Sequence, residues 1–210
     1  MKSPDWAKVS PLPPFLLADG SGPALQQTTV RLAWGAESFH VRFDCADRDA
    51  WGSFTRRDDP IYEEEAVEVF LAPGEADPAR YFEIEVSPRG TLFDASVWNP
   101  DSARATMRVD PGWDCPGLRW QVGAGAGDQD WWAILEIPWA ALVPGFPETK
   151  RAAIWRANFY RIERPRPPFG VPAGGAAEFS AWSPTLTVPA DFHRPARFGQ
   201  LSFAASRGGG

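Results

Sequence analysis

Glu64-Glu65-Ala66-Val67-Glu68-Val69-Phe70-Leu71 and Arg80-Tyr81-Phe82-Glu83-Ile84-Glu85-Val86 decide the fold class. In the first, Val67, Val69 and Leu71 share one face of an extended chain while Glu64, Glu68 and Phe70 share the other. In the second, Phe82, Ile84 and Val86 oppose Tyr81, Glu83 and Glu85. Alternation with a period of two, in runs rich in Val, Ile and Phe, predicts half-buried antiparallel strands.

The pattern extends in both directions. Ala72-Pro73-Gly74 opens the connection between the two runs, and Ser87-Pro88-Arg89-Gly90 turns the second into a third at residues 91–97, which predicts a three-stranded meander. Upstream, Ser38–Cys45 puts Phe39, Val41, Phe43 and Cys45 opposite His40, Arg42 and Asp44. Further strands are predicted at 118–122, 131–137, 152–162 and 201–204, with one helical turn at 138–142 begun by Pro138. The 210 residues contain 22 Pro and 19 Gly, too many breakers for a helical bundle, and 11 Trp and 14 Phe, which suit sheets packed face to face. The expected fold is one all-β antiparallel sandwich of about nine to eleven strands, in the manner of immunoglobulin or jelly-roll domains. Residues 1–27 read as a Pro-rich lead-in along the surface, 28–204 as the sandwich and 205–210 as a flexible tail.

A net charge of −6 gives no reason to expect nucleic acid or an anionic membrane as partner. One segment, Lys150 to Arg166, interleaves Arg156, Arg161 and Arg164 with Trp155, Phe159 and Tyr160, as binders of single strands do. There the alternation assigns Trp155, Ala157 and Phe159 to the core instead. No apolar run is long enough to span a membrane or to form a signal-peptide core, so the expected location is the cytoplasm, with export by another route left open. Cys45 and Cys115 read as buried thiols rather than a disulfide framework. His40 and His193 have no partner at zinc-ligand spacing, and there is neither a G-x-S-x-G elbow nor a Walker-type phosphate loop.

Two groups remain for chemistry. Glu68, Glu83 and Glu85 fall on the outward face of two strands joined by a short loop, so the fold brings them together. They could serve as paired carboxylates on a glycoside. The plainer reading is a polar sheet face neutralised by Arg42, Arg156 or Arg161, since no neighbour in the sequence marks either acid for a raised pKa. Tyr62, Trp182 and Trp51 lie in polar or Gly- and Pro-rich loops, as stacking platforms for sugar rings do, or as rings that cap the ends of a sandwich core.

Residues 58–71 followed by 81–91, then Ala157-Asn158-Phe159-Tyr160-Arg161-Ile162, Ala181-Trp182-Ser183-Pro184-Thr185 and Phe192-His193-Arg194-Pro195-Ala196-Arg197-Phe198-Gly199 resemble carbohydrate-binding module family 9. The chain looks closest to bacterial proteins in which this domain stands alone. The resemblance implies a sandwich that clamps a sugar between two rings, Tyr62 and Trp182, with Glu68 accepting hydrogen bonds from hydroxyls. Glu85 and Arg161 would help to orient the ligand. Sugar-binding members carry Trp where Tyr62 stands, a departure that weighs on the clamp. Members also hold structural calcium, for which Asp44, Asp47 and Asp49 would be the loop candidates. The wider superfamily includes DOMON-type domains that bind haem, for which Met107 and His193 would be the candidates; haem is not the expected cofactor. The expected function is therefore a non-catalytic saccharide-binding module. The alternatives are a glycoside-processing enzyme using Glu68 with Glu83 or Glu85, and a ligandless scaffold for protein interactions.

Overall fold

The structure is a computed structural model, described over residues 4–127, 130–142, 154–168 and 176–203. Its strands are β1 (Leu16–Leu17), β2 (Thr28–Trp34), β3 (Ser38–Cys45), β4 (Ala66–Pro73), β5 (Arg80–Val86), β6 (Leu92–Trp98), β7 (Arg108–Asp110), β8 (Arg119–Ala124), β9 (Trp131–Pro138), β10 (Ile154–Glu163), β11 (Glu178–Ala181) and β12 (Gly199–Ser202). They form two antiparallel sheets. The larger runs β1-β11-β10-β4-β5-β6-β7, with β12 also paired to β10, and the smaller runs β2-β3-β9-β8. The meander predicted from residues 64–97 is β4-β5-β6, and the single turn of helix, α1 (Trp139–Leu142), follows β9. Among the described residues no helix is long and apolar enough to cross a membrane.

The main core lies between the sheets, where Val67, Val69, Leu71, Ile84 and Phe159 meet Phe39, Val41, Phe43 and Leu135. Cys45 and Cys115 join it as free buried thiols, each pushed up to about 12 by burial. The lead-in contributes more than a surface path: Phe15 is fully buried in this core, and β1 extends the larger sheet through β11.

A second cluster covers the opposite face of the larger sheet, where Phe70, Tyr81 and Tyr160 pack under Phe192 and Phe198. Tyr160 stacks on Phe192 with ring centroids 4.1 Å apart, and its hydroxyl donates to the Phe192 carbonyl at 2.9 Å. Asn158 Nδ2 donates to the Ser183 carbonyl at 2.7 Å, and Asn99 Nδ2 to the His193 carbonyl at 3.0 Å. Arg194 Nη1 donates to the Ser102 carbonyl at 2.8 Å, joining the two covering loops to each other. Seven of the eight residues of β4 are buried as a result, although the alternation predicts a half-buried strand. The alternation sorts side chains correctly between two faces. The second face is covered by loops that carry no periodicity of their own.

Candidate functional site

Even-numbered residues of β4 and β10 and odd-numbered residues of β5 point to this loop-covered face. Glu68 stands opposite Glu85 across β4 and β5, and Glu83 lies two residues from Glu85 on the same strand. The three carboxylates form the floor of a cleft of about 360 Å³. Its walls are Tyr62, Phe93, Phe179 and Phe192, with Arg104 and His193 at one side. Tyr62 sits in a single 3-10 turn at Ile61–Glu63, leading into β4. It is 43% exposed and meets Phe93 edge-on at 5.5 Å.

The acids are buried: Glu68 is 2%, Glu83 5% and Glu85 1% exposed. One carboxylate oxygen from each lies within 4.8 Å of the others. Loss of water raises all three. Repulsion from the neighbouring acids adds to this for Glu68 and Glu85, which are held well above the usual carboxylate range. Glu83 is pushed up to about 7 by burial alone, against a lowering by Glu85 and Arg104. The neutralising arginines expected from the sequence are engaged elsewhere. Arg42 pairs with Asp44 at 2.6 Å, Arg156 with Asp77 at 2.8 Å and Arg161 with Asp47 at 2.6 Å. The sequence marked no acid for a raised pKa because the covering loops that exclude water could not be read from it. His193 donates or accepts at Nδ1 with the Tyr81 hydroxyl, 2.7 Å away, and burial depresses it to about 3, so it stays neutral beside Glu83. Arg104, absent from the sequence reading, is hydrogen-bonded to Asp191 at 2.9 and 2.5 Å.

The cleft thus unites Tyr62, Glu68 and Glu85, while Trp182 and Arg161 lie elsewhere. Both follow from strand parity. Arg161 continues the inward row of Trp155, Ala157 and Phe159, and Trp182 follows Ala181, which faces the loop-covered side. Trp182 packs on Phe159 with centroids 5.7 Å apart and lies flat over Gly199, where a Cβ would come within 2.3 Å of the indole. Gly199→Ala is expected to destabilise the fold by about 1–3 kcal/mol through this clash, read as a lower midpoint in urea, with ligand binding retained below the transition. An unchanged midpoint would show that Trp182 is free to move. Trp51 is also a capping ring. It is buried, with its backbone N–H on Glu65 at 3.0 Å and its indole N–H on the Arg164 carbonyl at 2.6 Å.

The loop acids considered for calcium do not fit one ion. Asp44 is held by Arg31 and Arg42, Asp47 by Arg161 and Asp49 by Arg166, each with an oxygen within 3.0 Å of a guanidinium nitrogen. Met107 and His193, the haem candidates, sit by the second cluster and the cleft respectively. Among the basic residues of 150–166, Arg156, Arg161 and Arg166 are paired with acids, while Lys150 and Arg151 lie outside the described residues.

Comparison with known proteins agrees with this architecture. A protein of Bacteroides uniformis ATCC 8492 whose proposed role is carbohydrate binding superposes with a TM-score of 0.70 at 18% identity, over 95% of this chain and 88% of its own. A family 9 carbohydrate-binding module from Caldicellulosiruptor kristjanssonii, solved with glucose, gives 0.61 at 12% identity over 99% and 91%. A family 9 module from the same organism with cellotriose gives 0.56 at 13% over 94% and 83%. These identities establish the shared fold. An extracellular protein of Arthroderma benhamiae is 28% identical over 144 residues, 64% of this chain, and the chain spans only 63% of that relative's length. Residues 21–203 match the family as a whole, and the chain belongs to carbohydrate-binding family 9.

Proposed function

We propose that the protein is a non-catalytic binding module that takes a mono- or oligosaccharide in the cleft bounded by Tyr62 and floored by Glu68, Glu83 and Glu85. The observation that carries this reading is an exposed ring standing at the rim of a pocket whose floor is made of hydrogen-bond acceptors. A sugar offers the complement, flat C–H faces ringed by hydroxyl donors. The cleft volume lies at the low end of small-ligand sites and suits one or two sugar units. Family membership and the glucose and cellotriose bound by the Caldicellulosiruptor modules support the same ligand class.

In this reading Tyr62 supplies the stacking face and Glu68 and Glu85 accept from hydroxyls. Phe93 braces the tyrosine rather than forming a second plate, because the two rings meet edge-on. A one-sided platform gives weak binding, on the order of micromolar to millimolar. Saturation-transfer NMR with glucose, xylose, cellobiose and xylobiose is the direct test. Tyr62→Ala removes roughly 55 Å² of buried ring face at about 25 cal/mol per Å², so affinity should fall about tenfold. Transfer unaffected by Tyr62→Ala would displace the ligand from this cleft. Release of reducing sugar from an oligosaccharide, lost in Glu68→Gln, would instead assign hydrolysis to the acids.

A further inference from the structure

Three trios of carboxylates occur among the described residues, and two of them already contain their cation. Asp58, Asp94 and Asp114 gather around Arg57, whose nitrogens lie 3.9, 2.7 and 2.6 Å from them. Asp47, Glu65 and Glu163 have Arg161, at 2.6 Å from Asp47 and 3.9 Å from Glu65. The third trio, Glu68, Glu83 and Glu85, has no lysine or arginine within ion-pair distance among the described residues. Among the described residues, the one basic side chain at ion-pair distance is His193, 3.8 Å from Glu83 and held neutral by burial. Arg104 contributes at longer range, with its guanidinium committed to Asp191.

Glu83 Oε2 and Glu85 Oε2 are buried without a hydrogen-bond partner, and both residues line the cleft. The third trio is also the one that a ligand-sized cavity opens onto together with an exposed ring. We propose that the cleft is selective for a sugar bearing a protonated amine, whose ammonium group settles among Glu68, Glu83 and Glu85 while its ring lies against Tyr62. This rests on the saccharide reading above and narrows it to a cationic class.

The spacing suits an ammonium. Three oxygens no more than 4.8 Å apart surround a point about 2.8 Å from each, the distance of an N–H···O hydrogen bond. An ammonium carries three donors and no acceptor, so it offers one to each acid. A hydroxyl has a single donor and brings no charge to a floor that already holds three acids.

The test compares three sugars of the same ring by titration calorimetry at pH 6.5, with EDTA present. Glucosamine is expected to bind at least about tenfold more tightly than glucose, since charge-assisted hydrogen bonds are about twice as strong as neutral ones. N-acetylglucosamine, which keeps the substituent and loses the charge, should show no such advantage. In Glu83→Gln the ratio of glucosamine to glucose affinity should fall to about threefold or less. Reading a ratio cancels any general weakening, and the wild-type comparison stands if that variant fails to fold. Glucose binding with no preference for glucosamine would overturn the proposal and leave the saccharide reading intact. Equal affinity for glucosamine and N-acetylglucosamine would overturn it too, by assigning recognition to size. In a separate titration without EDTA, binding of calcium chloride alone by the wild type, abolished in Glu83→Gln and without any amine preference among the sugars, would overturn it in favour of a metal. Failure of every sugar to bind would remove both readings.

Discussion

Arg161→Leu should lower stability by about 3–5 kcal/mol, the range for removing one partner of a buried ion pair. In a chain of this length that is a fall in melting temperature of roughly 10 °C. The side chains of Arg161 and Asp47 are 1% and 0% exposed, so solvent does not screen their 2.6 Å contact. The guanidinium also donates to the Ala46 carbonyl at 2.6 Å, while Asp47 accepts from the indole of Trp131 at 3.1 Å. One side chain of the larger sheet therefore ties the loop after β3 and the start of β9, both in the smaller sheet. Burial and the neighbouring Asp47 push Glu65 up to about 9, so it stays protonated at neutral pH and the pair balances one charge against one. Leucine leaves the Asp47 side chain in the interior without its counter-charge. The paired replacement Arg161→Leu with Asp47→Asn should recover most of the loss, because no charge then remains. A loss below about 1 kcal/mol in the single variant would mean that water reaches the pair.

Glu83→Gln should do the opposite and raise stability, but only at higher pH. The carboxyl of Glu83 has a folded pKa of about 7 against 4.5 in the unfolded chain. A group raised in this way has its full share of stability below pH 4.5 and loses it as pH climbs through 7. The loss saturates near ~3 kcal/mol, the free-energy equivalent of that shift at 1.36 kcal/mol per unit. Glutamine cannot ionise, and its removal of one acid also relieves Glu68 and Glu85, whose ionisation is resisted in the same way. Thermal scans at pH 4.5 and pH 8.5 should therefore show matching transitions at the low value and a variant about 5–10 °C higher at the high one. A pH-independent difference between variant and parent would mean that these acids ionise freely in the folded state.

Strand parity was the most legible property of the sequence. Ser38–Cys45 and Arg80–Val86 are strands at the bounds their alternation implies, because each has one face against the main core. β1, β2, β7 and β11 were not anticipated: β1, β7 and β11 have two to four residues, too few for a period to register, and β2, an edge strand of seven, buries only Thr28 and Val30. The shared face of Glu68, Glu83 and Glu85 was also legible. Their dryness was not, since it comes from loops near residues 99–107 and 184–198 whose placement depends on single contacts such as Tyr160 on Phe192. Arg161 is the instructive case. Counting by twos from Trp155 through Ala157 and Phe159 leads inward to it, whereas its charge points outward to a ligand. For Trp182, a loop aromatic flanked by Ser183 and Pro184, the deciding residue was Gly199, distant in sequence and without a side chain to announce the contact.

The two faces of β4 divide labour residue by residue, with Val67, Val69 and Leu71 holding the sandwich together while Glu68 opens into the cleft. Such interleaving sets what variation the domain tolerates. Substitutions in the covering loops alter the contents of the cleft without touching the packing between sheets, so ligand preference can drift while the scaffold persists. An inserted or deleted residue within β4 would slip the register by one and send carboxylates into the core and valines into the cleft. Diversification of this domain, in nature or in a library, is thereby channelled into loop sequence and loop length, with the meander held at constant length.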